Sequence, residues 1–449
     1  MERSHLQMQA LRVPLELNEF QAITTPSKVP NQTLNLFYKN RKGRFPYTDI
    51  KTLTQYNGGI PQMGDLNASL QTARNEFSQY ISSSIPGLAV LDWEEWFPLF
   101  DRNADLREIY KALSINYTLQ QNPSLTRKQA TVQAKVQFES AARRFMEETL
   151  KLGISQRPNC LWGFYLFPDC YNYDFTNPNY TGRCSQTTMQ LNTELLWLWK
   201  ASTALFPSAY MPVSISGTQK AALFIRNQVL EAMRVADLPE RSYSAPIYLY
   251  LRPLLKDQKE QYMKEARIIL HVNLCLCHLI TDLNNTDHFV FSQVDLIRSI
   301  GESAALGAAG CVLWGSSYDF NEKASCEALS TYLSTTLNKY IINVTTAAKL
   351  CSELLCQGNG RCVRKSYDSD DYLHLNIKSF NIREIDGIYK VFGVPSIIDL
   401  TAWADKFTCQ CYEDKKCAAQ IPSAVNYSER GFTGHLTVLL AAYLLGELS

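Results

Sequence analysis

Charge of one sign is what this sequence has least of. Its 44 Lys and Arg against 43 Asp and Glu leave a formal net charge of +1, so no long-range field favours nucleic acid or an anionic membrane surface. A polyanionic ligand would have to be met by a local groove. Residues 1–30 have no apolar h-region and no small-residue cleavage site, so the sequence as it stands carries no signal peptide. Long hydrophobic runs are also missing. "GHLTVLLAAYLLGELS" at the C-terminal end holds about a dozen mostly apolar residues, short of the ~20 that span a bilayer. That tail fits the discarded part of a lipid-anchor signal, with Ser423, Ala424 or Ser428 upstream, or else an ordinary terminal helix.

What is present suffices for a large core. The 449 residues are 46% hydrophobic, which fits one large domain with a smaller appendage. Thirteen cysteines are many for a reducing compartment, and N-x-S/T sequons at Asn31, Asn67, Asn116, Asn179, Asn284, Asn343 and Asn426 fit a secreted glycoprotein. Six cysteines cluster late. Cys351-x4-Cys356-x5-Cys362 and Cys409-x-Cys411-x5-Cys417 have the spacing of an EGF-like module, and that likeness would pair Cys351 with Cys362, Cys356 with Cys409 and Cys411 with Cys417. Spacing alone leaves other pairings open. With no histidine in the set, zinc is the weaker reading. His271, Cys275, Cys277 and His278 look superficially like metal ligands, but their spacing matches no common structural site and the run around them is apolar.

Short apolar runs alternate with amphipathic stretches: "LNLFY" (34–38), "GLAVLD" (87–92), "LWGFYLF" (161–167), "SAYMPV" (208–213), "PIYLYL" (246–251) and "GCVLW" (310–314). Strands separated by helices point to a parallel α/β fold, either a (β/α) barrel one or two strands short or an open sheet. Among the helices, Val132, Val136, Ala142, Phe145, Met146 and Leu150 make an apolar stripe at three- and four-residue spacing, read as core packing.

The end of "GLAVLDWEEWFPLF" carries the chemistry. On an extended strand Asp92 and Glu94 share a face while Trp93 points away. Two neighbouring carboxyls do not both ionise easily, so one holds a proton and becomes a general acid of the kind glycoside hydrolysis needs. An ion pair or a helix cap at the strand end is the plainer alternative. Tyr38, Tyr165 with Asp169, Tyr250 and Trp314 fall at other strand ends, an aromatic rim suited to stacking on sugar rings.

"NGGIPQ", "GLAVLDWEEW", "LWGFYLFPDCYNYDF", "NPNYTGRC", "GESAALGAAGCVLWG" and "YIINVTTAAKLCSELLCQGNGRCVRK" together resemble the vertebrate hyaluronidases, the late segments most of all the sperm-surface type. The resemblance implies a distorted TIM-like (β/α) barrel over residues 1–346, an EGF-like module over 347–418 and a tail over 419–449 with a candidate GPI-anchor signal. It implies a retaining, substrate-assisted endo-β-N-acetylhexosaminidase acting on hyaluronan, or chondroitin, as a monomer with no metal or organic cofactor. Its location would be secreted or cell-surface, touching a membrane only through the anchor. Glu94 would be the acid/base, Asp92 would hold its proton, and Tyr250 would orient the substrate acetamido group. Tyr38, Tyr165, Asp169 and Trp314 would line sugar subsites, and Cys170 would pair with Cys184.

Four departures from that family stand out. Phe97 replaces an arginine able to meet a glucuronate carboxylate. "RNADL" (102–106) lacks an aromatic. The first barrel strand and the cysteine matching Cys326 are missing, and residues 256–285 look inserted after Tyr250. Phe97 and the missing strand favour the alternative of a non-catalytic glycan-binding or adhesion protein, or an inactive isoform, on the same fold, whereas the intact Asp92, Glu94, Tyr165 and Tyr250 favour the enzyme.

Overall fold

A computed structural model describes residues 33–256, 294–315 and 323–421. The apparent insertion with His271, Cys275, Cys277 and His278, and the tail beyond residue 421, lie outside the described residues. Two compact units emerge. The described residues up to Pro168 with Gln186–Phe206 form one; Asp169–Ser185 and the described residues from Pro207 onward form the other.

The first unit is organised by a three-stranded parallel sheet in which Gly87–Leu91 lies between Leu34–Phe37 and Cys160–Phe164. LNLF is buried throughout and GLAVL nearly so, as expected of parallel strands covered on both faces. Parallel strands need long crossovers. These are supplied by the helix Leu66–Tyr80, N-capped by the Asp65 side chain, and by the pair Glu108–Gln121 and Arg127–Gln156, the latter opened by a Thr126–Gln129 capping box. Beyond Phe164 the sheet is prolonged by a bridge from Tyr165 to Phe206. Gly163 permits this approach, since a Cβ there would stand 2.2 Å from the Ala204 carbonyl oxygen.

Two sequence expectations need correction here. On Arg127–Gln156 the buried stripe runs through Ala130, Ala134, Phe138, Ala142, Phe145, Met146 and Leu150. Val132 and Val136 are 64% and 65% exposed. They satisfy the same helical spacing from Ala142 upward, but the small Ala130 and Ala134 face the interior in the first turns. The run 208–213 is also no continuous strand. It makes single parallel bridges, Ser208 to Tyr250 and Pro212 to Lys256.

In the second unit Tyr248–Leu251 pairs in parallel with Gly310–Leu313. One apolar cluster joins these strands to the helices Gln219–Asp237, Lys323–Tyr332 and Asn338–Leu354. A second cluster gathers Cys351, Cys356, Cys362, Trp403 and Phe407. Around it lie the antiparallel pair Gly360–Arg364 with Phe407–Cys411, and the hairpin Phe380–Ile385 with Ile388–Gly393. Disulfides join Cys170 to Cys184, Cys351 to Cys362, Cys356 to Cys409 and Cys411 to Cys417. No described helix is long and apolar enough to cross a membrane.

Candidate active site

The register of the first unit lines up three strand ends. Phe37 stands opposite Leu91, and Leu91 opposite Phe164, so Tyr38, Asp92 and Tyr165 are each the next residue along the C-terminal edge. The main chain carries the alignment one step further, with Asp92 N–H donating to the Phe37 carbonyl (2.9 Å) and Tyr165 N–H to that of Leu91 (3.0 Å). The C-terminal edge of a parallel sheet is where α/β proteins bind ligands. Tyr38 is half-buried there and Tyr165 buried.

Past Asp92 the chain is held by aromatic packing. Burial alternates along the motif: Asp92 is half-buried, Trp93 wholly buried and Glu94 exposed. The Trp93 ring meets Phe45 edge-on at 5.0 Å and Trp96 at 5.2 Å, and the Trp96 indole N–H donates to the Pro46 carbonyl (2.8 Å). Glu94 is thus on the exposed side of a main chain whose tryptophans on either side, Trp93 and Trp96, are fixed.

Two cations that motif reasoning missed hold the same main chain. Lys42 is 0% exposed, stands 4.5 Å over the Trp93 ring and donates from Nζ to the Asp92 carbonyl. Its burial draws its pKa down from 10.5 to about 7, opposed by the charges of Asp92, Glu95 and Glu76. Arg107 donates to the Glu94 carbonyl from both Nε (2.8 Å) and Nη2 (2.7 Å), with its guanidinium 4.7 Å over the Phe97 ring. Lys42 sits in a basic run, "KNRKGR", that reads as a solvated turn. Arg107 had no signal beyond following "RNADL".

In the second unit Tyr250 is 1% exposed on the strand Tyr248–Leu251, opposite Val312. Trp314 follows the neighbouring strand, its N–H donating to the Leu251 carbonyl (2.8 Å). Tyr210 stacks on Trp314 at 5.8 Å, and the Arg252 guanidinium lies 5.4 Å over the same ring. Asp169 accepts hydrogen bonds from Tyr171 N–H (2.8 Å), the Tyr173 hydroxyl and the Gln228 amide (3.1 Å). Burial first, and the Asp169 charge second, push the Tyr173 phenol well above its ordinary value, so it stays a donor. Next to Asp169 the Cys170–Cys184 bridge closes the loop. Among the described residues no group of three or more His, Cys, Asp or Glu is arranged to hold a metal ion.

Comparison with known proteins bears on this arrangement. A glycoside hydrolase family model described as Hyaluronidase matches residues 4–273 and 281–421. Over 406 residues, covering 90% of this chain and 74% of each relative, the chain is 41% identical to hyaluronidase PH-20 of Macaca fascicularis and 40% identical to that of Homo sapiens. Mus musculus hyaluronidase-5 is 41% identical over the same length, 72% of that protein. Among solved structures, bee venom hyaluronidase in complex with a hyaluronic acid tetramer superposes with a TM-score of 0.57 at 28% identity, covering 69% of this chain and 86% of that one.

Proposed function

The chain belongs to the hyaluronidase family of glycoside hydrolases, and on that premise we propose that it cleaves hyaluronan as an endo-β-N-acetylhexosaminidase with Glu94 as acid and base. Glu94 gives a proton to the glycosidic oxygen as the bond to the anomeric carbon breaks. The carbonyl oxygen of the substrate's own acetamido group attacks that carbon and forms a cyclic intermediate. Glu94, now ionised, takes a proton from the water that opens the ring, so configuration is retained. Asp92 favours the protonated state of Glu94 before the first step. Tyr250 orients the acetamido group, and Tyr38, Tyr165, Asp169 and Trp314 line the sugar subsites. Chondroitin, with the same alternation of N-acetylhexosamine and uronate, is a second substrate.

The observation that carries the reading is the alignment of Tyr38, Asp92 and Tyr165 past three registered parallel strands, with exposed Glu94 two residues on. The parallel pairings within each unit support a distorted (β/α) barrel. The three disulfides between Cys351 and Cys417 support an EGF-like module over residues 347–418, and all four bridges favour a secreted or cell-surface protein.

The test is the size distribution of high-molecular-weight hyaluronan after incubation with the chain at acidic and neutral pH, beside Glu94→Gln. Wild type shortens the polymer, and the variant binds it but loses cleavage by at least a hundredfold. A wild type that binds and never cleaves favours a glycan-binding role; a Glu94→Gln chain that still cleaves removes Glu94 from the chemistry.

A further inference from the structure

Arg107 is built like half of an ion pair. Its guanidinium is fixed on three counts within the first unit. Nε and Nη2 both hold the Glu94 carbonyl, the plane rests on Phe97, and Phe97 is itself immobilised. The Asn103 side chain accepts from Phe97 N–H (2.9 Å) and donates to the Phe97 carbonyl (3.0 Å), while the Phe97 ring meets Phe167 edge-on at 5.9 Å. Asn103 is wholly buried, so this support is rigid. A guanidinium has five N–H donors in a planar fork. With the Nε edge occupied, the Nη1–Nη2 edge remains, and Arg107 is only half-buried.

We propose that the Nη1–Nη2 edge of Arg107 binds the carboxylate of the uronate that leaves when the glycosidic bond breaks. The proposal rests on Glu94 as the acid, and it names the substrate group beside that acid. In a chain that alternates N-acetylglucosamine and glucuronate, the oxygen released from the N-acetylhexosamine is O4 of glucuronate. The carboxyl carbon C6 is three bonds from that oxygen, through C4 and C5. A group that protonates O4 therefore meets the carboxylate within the same sugar, and Arg107 is hydrogen-bonded to the backbone of that very group. A carboxylate brought beside Glu94 without a partner would be costly to desolvate, and an arginine edge matches its geometry with two parallel hydrogen bonds. The cation lost where Phe97 stands is thus replaced from ten residues further along, with the Phe97 ring as its platform.

The experiment measures binding of hyaluronan oligosaccharides and of their carboxyl methyl esters to Glu94→Gln, with and without Arg107→Met or Arg107→Lys. Glu94→Gln should prefer the acid to the ester, and Arg107→Met should reduce that preference by roughly tenfold to a hundredfold, the range for a charge-assisted hydrogen bond. Arg107→Lys, which keeps the charge and loses the fork, should fall between. Equal weakening for acid and ester would overturn the proposal, leaving Arg107 as a prop for the Glu94 main chain, and so would an unchanged preference. Near-ultraviolet circular dichroism identifies a variant that fails to fold, in which case Arg107→Lys alone decides by the same ratio. Hyaluronan shortening by Glu94→Gln would sink the acid/base role separately, because the ratio of KM values for acid and ester then reads the Arg107 contact during turnover.

Discussion

Lys42 is a fully buried lysine, an uncommon setting for an ammonium. Its ammonium is buried against Trp93 and Phe45 with the Asp92 carbonyl as acceptor. Below pH 7 the folded and unfolded chains both carry this charge, and the folded one bears the full penalty of burying it. Between about 7 and 10.5 the unfolded chain holds more protons, so the contribution of Lys42 makes stability rise with pH across that window. Lys42→Met should therefore gain on wild type most at pH 5–7, with the difference shrinking toward pH 10, offset by roughly 1 kcal/mol for the lost hydrogen bond to Asp92. Urea unfolding midpoints at a series of pH values measure this; a difference that does not vary with pH refutes it. Burial decides a second residue in the opposite sense. Asn343 carries a sequon, yet it is 5% exposed and its side chain accepts from Leu375 N–H (3.0 Å), so the folded chain cannot carry a glycan there.

At the scale of elements, the long helix Arg127–Gln156 marks the limit of reading by period. A stripe at three- and four-residue spacing is satisfied by Val132 and Val136 as well as by Ala130, Ala134 and Phe138, and hydrophobicity alone favours the valines. The sheet and neighbouring helices accept the smaller face, which lets the helices approach closely. Phe138 packs edge-on against both Trp96 and Phe100. Phe138→Ala should lower stability by about 3–5 kcal/mol, and Val136→Ala by no more than about 0.5 kcal/mol. Chemical denaturation of the two variants compares them, and similar losses would contradict the observed face. The strands were more legible, because a parallel strand buried on both faces reads as an unbroken apolar run. The exception, 208–213, contains Pro212, which has no N–H to give a ladder.

At the scale of the whole molecule, the unit that holds the cysteine-rich segment is tied together by a buried ion triad. Glu302 is 0% exposed and receives Arg226 Nε (2.7 Å) and both terminal nitrogens of Arg364 (2.8 and 3.0 Å). Arg226 comes from the helix Gln219–Asp237 and Arg364 from the strand Gly360–Arg364. The same arginines donate to the carbonyls of Asp368, Ser369 and Asp371. Distant stretches of chain thus share one carboxylate. Glu302→Gln takes the paired carboxylate from buried Arg364 and leaves Arg226 with the exposed Asp370 carboxylate (3.2 Å), and should cost about 3–5 kcal/mol. Denaturant unfolding with the disulfides intact reads this, and a loss below about 1 kcal/mol would show that solvent reaches the arginines.

The sequence by itself determined the parallel α/β character, the strands that carry the site and the alternation of Asp92, Trp93 and Glu94, because periods of two and of 3.6 residues are local properties of the chain. Tertiary structure alone decided which face of Arg127–Gln156 is inside, that Glu302 is shared by two arginines, and that Lys42 and Arg107 hold the carbonyls on either side of Trp93. Lys42 reaches Asp92 across 50 residues and Arg107 reaches Glu94 across 13. Whether a charged side chain is stripped of water depends on surfaces brought together from separate elements, and no local pattern records that.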